Sequence, residues 1–98
     1  MKNTTSNLAL NWSSEAESDV AHIINYIRER NPHAAHKILD IIEEKTANLP
    51  LNPKIYRPGR VQGTREMLVT PSYIVIYEES LTEVRILRVL HTAQMWPD

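Results

Sequence analysis

The fold of this chain is decided by its C-terminal third, Gly59–Pro97, which reads GRVQGTREMLVTPSYIVIYEESLTEVRILRVLHTAQMWP. Three apolar runs lie within it, at Arg65–Val69, Tyr73–Tyr77 and Val84–His91. They are rich in valine, isoleucine, leucine and tyrosine, which favour strands, and short polar or proline-containing segments separate them. This pattern predicts an antiparallel meander of three strands.

The residues before the meander predict a strand and then a first helix. Leu8–Trp12 alternates in the manner of a short strand. A helix is expected from Ser14 to about Arg30, with Ser14 and Glu17 forming a capping box at its start. Its apolar stripe consists of Ala16, Val20, Ile23, Ile24 and Ile27.

A second helix is expected from Pro32 to about Asn48. Asn31 suits its N-cap, and a proline is favoured at the first helical position. Because so short a link joins the helices, they are predicted to fold back as a hairpin. Pro50 then ends the helical pattern, and Leu51–Gln62 is a connector to the meander.

These elements predict an α+β domain of order β-α-α-β-β-β. The helical hairpin is expected to pack on one face of a small, mainly antiparallel sheet, and polar groups are expected on the other face. With 98 residues the chain is predicted to form a single domain, residues 1–98, in which residues 1–7 are flexible.

Composition narrows the class of protein. The chain has no cysteine and no apolar run long enough for a signal peptide or a membrane span. We therefore expect a soluble, cytoplasmic protein without a membrane partner. Its net charge is −1, whereas proteins that work deep in ribosomal RNA carry a strong positive excess. The segment 54–65 nevertheless holds four cations and no acid.

His91, at the end of the last predicted strand, is a candidate general acid or base because imidazole titrates near neutral pH. The alternative is a histidine that only makes local hydrogen bonds. Strict alternation predicts two faces for this strand. Arg85, Leu87, Val89 and His91 would lie on one face, and Val84, Ile86, Arg88 and Leu90 on the other.

Arg60 and Arg65 flank the entry to the meander, and their planar guanidinium groups suit phosphate or carboxylate partners. The alternative is a rim ion pair, for example between Arg65 and a nearby glutamate. Tyr73 and Tyr77 share a strand face and could pack in the core or stack on a base. Trp96 is expected to pack across the sheet or bind a partner.

No cofactor or metal is expected. The chain has only two glycines and neither a phosphate-binding loop nor a dinucleotide fingerprint. His33 and His36 are three residues apart on a helix, but no third residue has the spacing of a metal ligand.

Several short segments carry a resemblance over about residues 8 to 97. They are Trp12-Ser13-x-x-Ala16-x-x-Asp19-Val20, Tyr26-Ile27, Asn31-Pro32-x-Ala34-Ala35, Pro58-Gly59-Arg60, Gly63-Thr64-Arg65-Glu66, Tyr73-x-Val75-x-Tyr77 and Val84-x-Ile86-Leu87-Arg88-Val89-Leu90-His91. Their order and spacing resemble the RelE/ParE superfamily, the toxins of bacterial type II toxin–antitoxin pairs, often found as plasmid-stabilisation systems. The resemblance implies the same fold, and a small antitoxin that wraps and neutralises the toxin.

The superfamily divides by target. RelE-like members cut mRNA on the ribosome, using an arginine on the strand before the tyrosine-rich one and basic or aromatic groups at the chain end. Here the matching strand reads Met67-Leu68-Val69, and the last strand is followed by Thr92-Ala93-Gln94. ParE-like members, which lack that set, inhibit DNA gyrase. The resemblance therefore favours a toxin that inhibits bacterial growth through gyrase.

Two alternatives remain. In a RelE-like mRNA interferase, an endoribonuclease, His91 would move the proton while Arg65 and Arg88 would hold the phosphate. In a non-toxic relative, the chain would act only in an antitoxin-bound autorepressor complex. For the gyrase inhibitor, the expected target or partner contacts are Arg60, Arg65, Tyr73 and Trp96. A homodimer or a toxin–antitoxin hetero-oligomer is also expected.

Overall fold

The computed structural model describes residues 8–94, 96 and 97, so the expected flexible segment 1–7 lies outside the described residues. The elements are β1 (Ala9–Trp12), α1 (Ser14–Arg28), α2 (Pro32–Ala47), β2 (Arg57–Pro58), β3 (Thr64–Thr70), β4 (Tyr73–Glu79) and β5 (Glu83–His91). Within this part of the chain the five strands form one sheet of order β1-β5-β4-β3-β2. β1 runs parallel to β5, and the other pairs are antiparallel. The predicted α+β class is confirmed, with the two-residue β2 added from the connector.

The N-cap of helix α1 lies one residue earlier than the sequence predicted. Ser13, not Ser14, is the N-cap, and its hydroxyl accepts from the backbone N–H of Ala16 at 3.0 Å. The same hydroxyl donates to the carbonyl oxygen of Leu87 at 2.9 Å. Because Ser13 leaves β1 with an extended backbone, it takes the cap position, and the predicted capping box with Glu17 is wrong.

Helix α2 starts as the sequence predicted. The Asn31 side chain accepts from the backbone N–H of Ala34 at 3.0 Å, and Pro32 occupies the first turn. The two helices form the expected hairpin, with α1 also packed against β5. Among the described residues, neither helix is long and apolar enough to cross a membrane.

The main core lies between the helical hairpin and one face of the sheet. Its fully buried side chains come from both helices, the turn after α2 and three strands. They are Ala16, Ile42, Leu49, Met67, Val75, Tyr77, Val84, Ile86 and Val89. Burial of apolar side chains on this face fixes which residues of each strand point away from it.

A β-bulge in β5 breaks the alternation that the sequence predicted. Ile76 pairs with Arg88 while the next residue, Tyr77, pairs with Ile86, so Leu87 is an extra residue. Ile86 and Val89 therefore both belong to the main core, although strict alternation put them on opposite faces. Leu87 packs against the opposite face of the sheet.

That opposite face is apolar at its centre, so the expectation of a polar face is wrong. Ile74, Ile76 and Leu90 form a second buried cluster there. Leu87 and Trp96 pack against this cluster. Trp96 therefore packs across the sheet, which is one of the two roles that the sequence predicted for it. The consecutive apolar residues of β4 supply both faces at once, which is the pattern of a strand buried on two sides.

Candidate functional site

Glu66 on β3 holds two of the connector's arginines. Its carboxylate accepts from the Arg57 guanidinium at 3.2 Å and from the Arg60 guanidinium at 3.0 Å. It also accepts from the Arg60 backbone N–H at 3.0 Å. The Glu66 side chain is only 4% exposed, so these contacts satisfy a buried anion.

Glu79 at the end of β4 holds the other two cations. It binds the Arg65 guanidinium at 2.6 Å and the Lys54 ammonium at 2.9 Å. Arg65 also donates to the carbonyl oxygen of Tyr56 at 2.8 Å. We call this set of contacts the connector end; it consists of Lys54, Arg57, Arg60, Arg65, Glu66 and Glu79.

The electrostatics of the connector end follow from these pairs. Burial alone would raise the pKa of Glu66, but the N–H and guanidinium of Arg60, with the charge of Arg57, hold the pKa below its ordinary value. At Glu79 burial again opposes ionisation, and hydrogen bonds from Lys54 and Arg65 lower the pKa overall. Both carboxylates are therefore ionised at neutral pH.

Arg88, the arginine at the bulge, is bound by Asp19 of α1. The guanidinium donates to the two Asp19 carboxylate oxygens at 2.7 and 2.9 Å. Asp19 also accepts from the backbone N–H of Val89 at 2.9 Å. This bidentate pair fastens α1 to β5, and the side chains are 25% and 15% exposed.

His91 closes a tight turn at the end of β5. Its Nδ1 accepts from the backbone N–H of Ala93 at 3.1 Å, and its carbonyl accepts from the N–H of Gln94 at 2.9 Å. The Nδ1 atom of His91 is therefore engaged by the backbone of its own turn.

An open cleft of about 480 Å³ lies beside His91, between α1 and the ends of β4 and β5. We call it the aromatic cleft; it is lined by Asp19, His22, Ile23, Tyr26, Tyr73, Val89, His91 and Gln94. The Tyr73 and His91 rings meet edge to face with centroids 5.5 Å apart. Tyr77, by contrast, is fully buried in the main core and donates to the Pro53 carbonyl at 2.6 Å. Burial raises the pKa of Tyr77 to about 12.

Of the three residues expected to form a ribonuclease site, Arg65 lies apart from His91, whereas Arg88 is bound to Asp19, which lines the same cleft as His91. Arg65 lies opposite Tyr77 on β4, whereas His91 lies opposite Tyr73. Four residues of extended strand correspond to about 13 Å. Arg65 and Arg88 are moreover bound to different carboxylates. Trp96 lies on the opposite face of the sheet, away from the main core.

Sequence reasoning missed the contribution of α1 to the aromatic cleft. Asp19, His22 and Tyr26 follow one another at intervals of three and four residues, which places them on one face of the helix. This stripe adjoins the apolar stripe that the sequence analysis did identify. Its spacing was the available signal.

A second open groove, of about 510 Å³, lies between β1 and the helical hairpin. We call it the apolar groove; it is lined by Leu10, Trp12, Glu17, Val20, Leu39, Ile42, Glu43 and Thr46. Glu17 and Glu43 are its charged residues, and both are exposed.

Within the described part of the chain, no three histidine or carboxylate side chains are arranged to hold a metal ion.

The chain matches the family model described as the ParE toxin of the type II toxin–antitoxin system parDE, over residues 10–96. A curated relative from Sinorhizobium fredii, Y4kP, is provisionally named a toxin. It is 34% identical over 89 residues, covering 90% of this chain and 92% of the relative.

Solved structures share the fold. A chromosomal ParDE toxin–antitoxin system of Pseudomonas aeruginosa contains a chain that is 24% identical, with a TM-score of 0.79. The match covers 89% of this chain and 98% of that one. The RelBE2 toxin–antitoxin complex of Mycobacterium tuberculosis contains one that is 20% identical, with a TM-score of 0.61 and coverage of 95% and 100%. The family match and the relative establish that this chain belongs to the ParE family of toxins of type II toxin–antitoxin systems.

Proposed function

We propose that this toxin arrests growth by binding DNA gyrase without covalent chemistry. The observation that carries the proposal is that the groups that RNA cleavage would need are already engaged within the molecule. Arg65 and Arg88 are held by separate carboxylates, and Nδ1 of His91 is occupied by a backbone N–H. A ribonuclease of this type must activate a 2′-hydroxyl and neutralise a phosphate at one point. The ParE-like branch, which the resemblance favours, contains the gyrase inhibitors.

Two assays on the wild-type protein separate gyrase inhibition from RNA cleavage. Pulse labelling after induction without antitoxin should show DNA synthesis stopping while translation continues. Purified toxin should then inhibit DNA supercoiling by purified gyrase and leave ribosome-bound mRNA intact.

The competing outcomes are equally specific. Translation that stops first, with mRNA cut on the ribosome, would replace gyrase inhibition with the ribonuclease activity. Normal growth of cells that contain folded toxin would indicate the non-toxic relative that acts only with its antitoxin.

The proposed neutralising partner is an antitoxin encoded beside the toxin, docked in the apolar groove. Charge complementarity supports this occupant, because an apolar segment flanked by lysine or arginine would bury the groove's side chains and meet Glu17 and Glu43. The same apolar surface, left uncovered, would favour homodimers or toxin–antitoxin hetero-oligomers.

The groove is tested by reversing its rim charges. Glu17→Lys combined with Glu43→Lys should weaken binding of the co-expressed antitoxin by about tenfold. Glu44→Lys is the matched control, since Glu44 is an exposed residue of the same helix that does not line the groove. Equal binding by the double variant and the control would place the antitoxin elsewhere.

A further inference from the structure

The aromatic cleft has a composition that the toxin's proposed chemistry does not use. Four rings line it, those of His22, Tyr26, Tyr73 and His91. Ile23 and Val89 add apolar surface, and Asp19 is already bound to Arg88. The cleft therefore offers ring faces and hydrogen-bonding groups to a ligand.

We propose that the aromatic cleft receives the guanidinium group of an arginine side chain carried by a protein partner. The faces of tyrosine rings carry partial negative charge and attract cations. The His91 ring, which meets the Tyr73 ring edge to face at 5.5 Å, adds a further ring to the cleft. A site of this kind complements a cation.

The rim of the cleft already shows the expected contact. The guanidinium carbon of Arg30 lies 3.9 Å from the centroid of the Tyr26 ring. Tyr26 is 58% exposed, so this pair stands at the surface beside the half-buried Tyr73. An arginine from a partner would make with the inner rings the contact that Arg30 makes with the outer one.

The charges argue for a protein rather than a nucleic acid. No lysine or arginine is among the described residues that line the cleft. The guanidinium groups that adjoin it are already engaged, since Arg88 is bound by Asp19 and Arg30 donates to the Tyr26 carbonyl oxygen and covers the Tyr26 ring. A phosphate would therefore find no open cation there. Base stacking alone would have to hold an RNA or DNA segment. A guanidinium, which is planar and weakly hydrated, gains both ring stacking and hydrogen bonds to tyrosine hydroxyls or the Gln94 amide oxygen.

The test is an NMR titration of the purified full-length toxin with N-acetyl-arginine amide. N-acetyl-citrulline amide is the control ligand, because citrulline has nearly the same shape without the charge. We expect arginine to bind about five times more tightly than citrulline. The largest shifts should occur at the ring signals of Tyr73 and His91.

A variant locates the binding. Tyr73→Leu keeps an apolar side chain and removes the ring face, so it should abolish the preference for arginine over citrulline. Tyr56→Leu is the control for loss of a ring, since Tyr56 packs against the main core and does not line the cleft. Should Tyr73→Leu fail to fold, Tyr26→Leu at the exposed rim provides the second measurement, with a smaller loss of preference.

Three results would overturn the proposal. Arginine and citrulline could bind equally, or the arginine shifts could fall at the connector end, around Glu66 and Glu79. Adenosine monophosphate, titrated in parallel, could shift the Tyr73 and His91 signals at lower concentration than arginine, which would assign the cleft to nucleic acid. These measurements need no gyrase, so they are independent of the proposed target.

Discussion

The connector end and the aromatic cleft lie at opposite ends of strand β4, and their polar groups are arranged differently. At the connector end four cations meet two carboxylates, and the charges are engaged within the molecule. In the aromatic cleft Asp19 is bound to Arg88, while the Tyr73 and His91 rings meet edge to face. The run of cations in the sequence therefore forms ion pairs that stabilise the fold. The open surface with exposed rings lies instead where the sequence shows no such run.

The reason for the difference is the connector itself. The segment between α2 and β3 contains few buried side chains, and two large apolar residues in it, Leu51 and Ile55, are exposed. Apolar burial cannot hold such a segment to the sheet, so ion pairs and hydrogen bonds do so. Near the cleft, α1 is already fixed by the main core, which leaves the Tyr73 and His91 rings free to face outward.

The largest effect is expected from breaking the ion pair between Asp19 and Arg88. Asp19→Ala removes the carboxylate that binds the Arg88 guanidinium and the Val89 N–H, and should cost about 3 kcal/mol of unfolding free energy. Urea unfolding would measure this loss. Arg88→Met added to Asp19→Ala should restore part of the stability, because the double variant no longer carries the arginine charge that Asp19 balanced. A double variant less stable than Asp19→Ala would contradict this account.

Glu66→Gln tests the connector end and should cost about 2 kcal/mol, because two guanidinium groups lose their anion. The loss should depend on pH. Since the folded-state pKa of Glu66 is lowered, its stabilising contribution is present above the ordinary pKa of 4.5 and disappears as pH falls through the folded value. Thermal unfolding of wild type and variant should therefore converge in acid. A difference in stability between wild type and variant that stays constant down to pH 3 would exclude the Glu66 charge as the cause of that difference.

Tyr77→Phe should cost about 1 kcal/mol by removing the hydrogen bond to Pro53. The raised pKa of Tyr77, about 12, also predicts a late step in the ultraviolet titration of the native protein. Stability from this phenol is complete below its unfolded pKa of 10 and is lost as pH rises toward 12. The late step should vanish in Tyr77→Phe and persist in Tyr73→Phe.

The smallest effect on stability is expected from His91→Gln in the aromatic cleft. His91 is exposed, and a glutamine oxygen can accept a hydrogen bond in place of Nδ1. The unfolding free energy should change by less than about 0.5 kcal/mol. His36→Gln is the matched control on α2, where the exposed histidine pairs with Asp40 at 3.5 Å. A loss above 1 kcal/mol for His91 alone would make it a structural residue.

Much of the fold could be predicted from local signals. The helical hairpin followed from Asn31-Pro32, and the three long strands followed from apolar runs bounded by Pro71 and the polar turn before β5. The face assignment of β5 could not be predicted, because one extra residue at Leu87 inverts every position beyond it. Neither glycine nor proline marks that bulge, so the sequence offers no local signal for it.

The candidate site was less accessible to sequence reasoning. His91 and Tyr73 were identified separately, and their contact at 5.5 Å depends on strand register. Asp19 and His22 were not selected, because their roles arise only when α1 packs beside β5. The pairing of Arg65 with a glutamate was among the alternatives considered, but which glutamate it meets depends on the β3–β4 register.

The parallel pairing of β1 with β5 has a consequence for biogenesis. The Ser13 hydroxyl reaches the Leu87 carbonyl, a partner 74 positions later in the chain. Strand β1 must therefore wait, unpaired, while the helices and the meander are synthesised, and closing so long a loop is slow compared with forming a hairpin. The apolar groove, which Leu10 and Trp12 of β1 help to line, is complete only after that final docking. An antitoxin that binds this groove would thus distinguish fully folded toxin from nascent chains.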